Sequence, residues 1–97
     1  MINNQIILCK FIQTNNINWF DISYQYTLSE NFMSKFQNEV DWTNISIRQV
    51  LSENFIREFQ SKVVWYYISS NQTLSENFIR EFQSEVDWYY ISAYQKL

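Results

Sequence analysis

Three columns of polar residues recur along the chain every 23 positions, and any chemistry would start from them. Glu30, Glu53 and Glu76 form an acidic column, Ser46, Ser69 and Ser92 a hydroxyl column, and Gln49, Gln72 and Gln95 an amide column. Clustered carboxylates can hold a cation or perform acid–base work, and a serine beside a base can act as a nucleophile. The sequence contains no histidine, which removes the commonest general base and metal ligand. Each Glu follows a serine suited to cap a helix, where the dipole already accounts for a negative charge. Each Ser of the hydroxyl column reads as a small packing residue whose hydroxyl can bond back to a carbonyl one turn earlier. The glutamines read as hydrogen-bonding links between stacked units. Cys9 has no histidine partner and ends the apolar run Ile6-Ile7-Leu8, as a small buried hydrophobe would. No catalytic residue, metal ligand or cofactor is expected. The chain reads as a protein that binds, not as an enzyme.

Composition narrows the fold that must position these columns. The 97 residues suffice for one core and not for two. Aromatics make up 20% of the chain, a load that implies folding. Gly and Pro are both absent, which disfavours hairpin-rich sheets, Rossmann folds and phosphate loops, since these rely on positive φ. A net charge of −3 gives no basic groove, so direct nucleic-acid binding is not expected. One cysteine excludes an internal disulfide and suits a reducing compartment. No apolar run reaches the ~18 residues of a membrane span, and the start lacks a secretion signal. A cytoplasmic setting is expected, with no membrane partner.

The strongest signal is internal repetition. Trp19, Trp42, Trp65 and Trp88 are spaced by 23 residues, as are Leu28, Leu51, Leu74 and Leu97. Full units occupy 28–50, 51–73 and 74–96, and residues 5–27 form a degenerate N-terminal copy, making 1–97 a single repeat domain. The second and third units share 18 of 23 residues. Arrays of this kind bury the face of each unit against its neighbours.

Two helical segments fit each unit. The first starts at Ser29, Ser52 or Ser75, and Leu51, Phe55, Ile56, Phe59 and Val63 fall on one arc of it. On its outer side, Glu53–Arg57 and Glu76–Arg80 have the i,i+4 spacing of favourable ion pairs. In the second segment, Val63-Val64-Trp65-Tyr66-Tyr67-Ile68 has the propensity of a strand. Comparison of units favours a helix, because Trp and Ile three apart stay constant while the residues between them change. Asp41 and Asp87 are the expected caps, and Val64 breaks that rule. The predicted architecture is an all-α solenoid of helix–turn–helix repeats. A strand–helix repeat is the alternative.

A constant core beside a changing face is how repeat proteins build binding surfaces. Residues one, two, five and six after each Trp form that face, and its aromatic and cationic members match interface chemistry. The candidate partner-binding residues are Tyr24, Arg48, Tyr66, Tyr67, Tyr89, Tyr90 and Tyr94. Tyrosine pairs are costly to leave in water without purpose.

The unit L-S-E-N-F-I-R-E-F-Q-S-x-V-x-W-Y-Y-I-S-x-Y-Q-K, nearly complete in 74–96, resembles tandem repeats of giant DNA viruses of amoebae and of AT-rich phage-like genomes. The likeness covers 28–97 and extends weakly over 5–27. Arg48 and Val50 in the first unit and Ser70-Asn71 in the second depart from the aromatic and basic residues usual there. The resemblance implies a viral setting, hence host cytoplasm, and no mechanism. Two functions follow as expectations. One is capture of a protein partner through the variable aromatic face. The other is an inhibitor of a host defence nuclease complex, anti-CRISPR-like, with Glu30, Glu53 and Glu76 as an acidic face that occupies a basic channel. End-to-end stacking of copies is a route to homo-oligomers.

Overall fold

Six of the seven helices described here begin where a side chain accepts a backbone N–H. The computed structural model describes residues 18–95. Its helices are α1 (Trp19–Gln25), α2 (Glu30–Lys35), α3 (Trp42–Arg48), α4 (Glu53–Glu58), α5 (Trp65–Asn71), α6 (Glu76–Glu81) and α7 (Trp88–Tyr94). Ser29, Ser52 and Ser75 accept from Phe32, Phe55 and Phe78, while Asp41 and Asp87 cap α3 and α7. Val64 opens α5 with no side-chain cap. No strand occurs among the described residues. The predicted all-α repeat is the architecture found, and the strand–helix alternative is overturned. Cys9, the first part of the 5–27 unit and Leu97 lie outside the described residues.

Both helix types are shorter than the sequence pattern suggests. α4 ends at Glu58, short of Phe59 and Val63. The chain then turns so that the Phe59 carbonyl accepts the N–H groups of both Lys62 and Val63. This turn returns Val63 to the core, so the whole expected arc from Leu51 to Val63 is buried without a continuous helix. The indole N–H of Trp65 donates to the Gln60 carbonyl in the same turn at 3.0 Å, and Trp42 and Trp88 repeat the contact on Gln37 and Gln83.

Packing proceeds by columns. Ile22, Ile45, Ile68 and Ile91 are fully buried where successive Trp helices meet, and α1, α3, α5 and α7 stack on one another. Trp42 lies against Phe55 and Phe59, with ring centroids 6.0 and 5.3 Å away. Trp19 and Trp65 sit likewise against Phe32/Phe36 and Phe78/Phe82. Tilted aromatic contacts of this kind contribute about 0.5–1.5 kcal/mol each beyond buried area.

The chain has no glycine, the usual residue of a left-handed helix cap. Gln72 instead leaves α5 in extended backbone, with φ −99° and ψ 145°. Its side-chain amide reaches back to the preceding unit, donating to the carbonyls of Ser46 at 3.0 Å and Gln49 at 2.7 Å. Its Oε1 accepts the Leu51 N–H at 3.0 Å. Gln49 and Gln95 make the same three bonds one unit earlier and one unit later. Ser46 and Ser69 add a second link: each hydroxyl donates one turn back within its helix and accepts the N–H before the next Trp helix.

Gln72→Leu leaves a buried N–H and two buried carbonyls without partners. It is expected to destabilise the fold by about 3 kcal/mol or more, a Tm drop of roughly 12–24 °C for a domain of this size. Thermal denaturation followed by circular dichroism checks it, and an unchanged Tm contradicts the glutamine link.

Candidate functional site

The stacking of Trp helices fixes what their outer sides present. The Ile of every Trp helix, together with Ser23, Ser46, Ser69, Gln49 and Gln72, is drawn inward, leaving the positions one and six after each Trp exposed. Phe20, Tyr24, Tyr66, Tyr89 and Tyr94 are all exposed, Tyr89 by 76% and Tyr94 by 64%. Tyr67 and Tyr90, two residues after their Trp, are half-buried because that position leans toward the preceding unit. Asn44 occupies the same position and is buried, its amide 3.4 Å from the Phe20 carbonyl. Asn44 therefore belongs to the stack and not to the variable face.

The seven candidate residues separate into two groups. In the first, the Arg48 guanidinium stacks 4.1 Å from the centre of the Tyr24 ring and donates to its hydroxyl at 2.5 Å. Phe20 lies nearly parallel to Tyr24, with ring centroids 6.3 Å apart. A cation over an aromatic face is held electrostatically by the ring quadrupole, so this pair presents a fixed positive charge. In the second, Tyr66, Tyr67, Tyr89, Tyr90 and Tyr94 form a continuous chain of ring contacts across α5 and α7. The hydroxyls of Tyr66 and Tyr90 share a hydrogen bond.

Beside this second group runs an open groove of about 500 Å³ lined by Ile47, Tyr66, Tyr67, Ser70, Asn71, Tyr90 and Tyr94. None of these side chains carries a formal charge at neutral pH. Asn71 and Ser70 are bonded to each other and to the Tyr67 carbonyl, so the groove offers chiefly ring surface and phenol hydroxyls. Ile47 and Asn71 were legible as variable positions, although aromaticity alone does not single them out.

The acidic column is engaged elsewhere. The Glu30 carboxylate accepts from the backbone N–H of Ser52 at 2.7 Å and from its hydroxyl at 2.9 Å, and Glu53 holds Ser75 in the same way. These glutamates thus join consecutive units, a role beyond the helix dipole expected of them. With Glu53 committed to Ser75, the expected Glu53–Arg57 pair gives way to a two-bond pair between Arg57 and Glu81, both contacts at 2.8 Å. Its hydrogen bonds hold the Glu81 carboxyl below the usual range. The Glu76–Arg80 pair does form, at 2.6 Å. Among the described residues, no cluster of His, Cys, Asp and Glu could hold a metal ion.

The chain matches no known family model, no curated protein and no solved structure.

The hydrogen bond with Tyr66, then burial and the neighbouring phenols, push Tyr90 from 10 up to about 12. The folded state thus favours the neutral phenol. The associated stability is present below pH 10 and is lost as pH rises toward 12. Absorbance titration of the phenolates should show one late-ionising group, and Tyr66→Phe should return it toward 10. A wild-type titration with no late group contradicts the shared hydrogen bond.

Proposed function

We propose that this chain is a non-catalytic helical-repeat protein that binds another protein through the outward face of its Trp helices. One observation carries the reading: the recurring Ile of each Trp helix is consumed by stacking, as are Ser46, Ser69, Gln49 and Gln72, whereas the tyrosines of α5 and α7 gather into one cluster that reaches the surface. Tyrosine supplies broad amphipathic contact at low conformational-entropy cost, and exposed aromatic clusters are where binding energy concentrates. The neutral groove beside them suits a partner surface that is apolar or polar but uncharged. The fixed Arg48 charge further along the face suits a carboxylate on the same partner.

The viral resemblance of the repeat makes a host protein the natural partner. Inhibition of a defence nuclease by channel occupancy would need the glutamate column free. Glu30 and Glu53 are bonded to Ser52 and Ser75, so the geometry favours the aromatic face over that reading.

Replacing Tyr66, Tyr67, Tyr89 and Tyr90 together by Ser is expected to abolish partner capture while helicity stays within a few per cent of wild type. Reversing the charge of Glu76, which joins no described neighbour unit, should leave capture intact. Capture by affinity purification from host extract decides between them. Retention of the same partner by the tyrosine variant would contradict the proposed face.

A further inference from the structure

Where two Trp helices stack, the residue one after the first Trp lies beside the residue two after the next. Between α1 and α3 these are Phe20 and Asn44, and between α3 and α5 they are Thr43 and Tyr67. Between α5 and α7 they are Tyr66 and Tyr90, so this junction brings two phenols together. Their ring centres stand 4.7 Å apart with planes at 75°, and their hydroxyls share a hydrogen bond. In the other tyrosine ring contacts, Tyr66–Tyr67, Tyr89–Tyr90 and Tyr90–Tyr94, no hydroxyl meets a hydroxyl among the described residues. The stack holds the pair in place. The Gln95 amide bonds the Ser69 and Gln72 carbonyls, and the Asp87 N–H bonds the Ser69 hydroxyl.

We propose that Tyr66 and Tyr90 are a site of oxidative cross-linking, taking as co-reactants hydrogen peroxide and a haem peroxidase and yielding a dityrosine bond between α5 and α7. Each phenol gives up one electron and its hydroxyl proton, leaving a phenoxyl radical whose spin is shared with the ring carbons ortho to oxygen (Cε). One Cε of each ring then couples to form a single C–C bond. The hydrogen on each joined carbon moves to the oxygen and restores both phenols. The pair thus loses two hydrogen atoms in all, and the peroxide that accepts them becomes two waters. Rings already touching with hydroxyls side by side place the coupling carbons near one another, which turns an encounter between radicals into a local step. Tyr66 is exposed and meets the oxidant, whereas Tyr90 is half-buried and shielded from a second molecule. The bond would staple consecutive units and restrict the unfolded chain. It requires no partner and is independent of the binding role proposed above.

The test treats the full chain with a haem peroxidase and hydrogen peroxide, isolates the monomer, and maps its tryptic peptides by mass spectrometry. The expected product joins peptides 63–80 and 81–96 between Tyr66 and Tyr90, with the mass of two hydrogens lost, and shows dityrosine fluorescence. Its Tm should rise by several degrees. Tyr66→Phe and Tyr90→Phe, which keep the ring and the helicity, should each lower the yield of this product at least tenfold, and Tyr89→Phe should leave it unchanged. Denaturing the chain in urea before oxidation should lower it at least tenfold as well. Monomer without this link, a link confined to other tyrosines or to pairs of molecules, or a yield unaffected by urea overturns the proposal.

Discussion

The fold depends on how a chain without glycine closes its helix ends. Each Trp helix runs only seven residues, too short for its internal hydrogen bonds to sustain it alone, and it terminates in extended backbone that leaves carbonyls facing the interior. Buried carbonyls without partners are costly. The glutamine of the next unit answers that cost by donating to two of them while its oxygen takes the N–H of the following leucine. Neighbouring units therefore complete each other's hydrogen bonding, and no unit is satisfied in isolation. Stability becomes a property of the stack.

Once glutamine, serine and isoleucine are committed inward, the rest of each unit is decided by default. The Phe pair and the Trp form an aromatic comb along one side, joined on its outer surface by Glu–Ser and Arg–Glu contacts between units. Each Trp helix also has exposed positions, one and six after its Trp, that the burial of Ile, Ser and Gln leaves at the surface. Those positions change from Phe20 and Gln25 to Thr43 and Arg48 to Tyr66 and Asn71. Variation there costs the fold little, and chemistry can accumulate. A partner-binding role grows from that freedom, with the rigid stack preorganising the phenols that would meet the partner.

The repeat, the helical class and the buried columns were legible because each rests on residue type repeated at one interval. Trp65 and Ile68 stay fixed while Tyr66 and Tyr67 change, which identified a helix where propensity alone suggested a strand. Helix length was not legible. The arc from Leu51 to Val63 is buried as a continuous helix would bury it, yet a turn after Phe59 accomplishes the same burial. Long-range side-chain choices were also hidden. Glu53 has two plausible partners in the sequence, Arg57 nearby and Ser75 in the next unit, and only the stacking distance selects the second. Asn44 looked like a surface residue because its neighbours in other units are tyrosines, but its small amide fits beneath the carbonyl of Phe20.

The most direct test of the glutamine link is amide hydrogen exchange at Leu51, read by NMR. Leu51 lies outside every helix, and its N–H bonds the side chain of Gln72 at the far end of its own unit, the same side chain that reaches back to Ser46 and Gln49. The account predicts that this amide exchanges as slowly as those at the centres of α3 and α5, and that its protection is lost together with theirs. Exchange at the rate of an exposed loop, with α3 and α5 still protected, would contradict it.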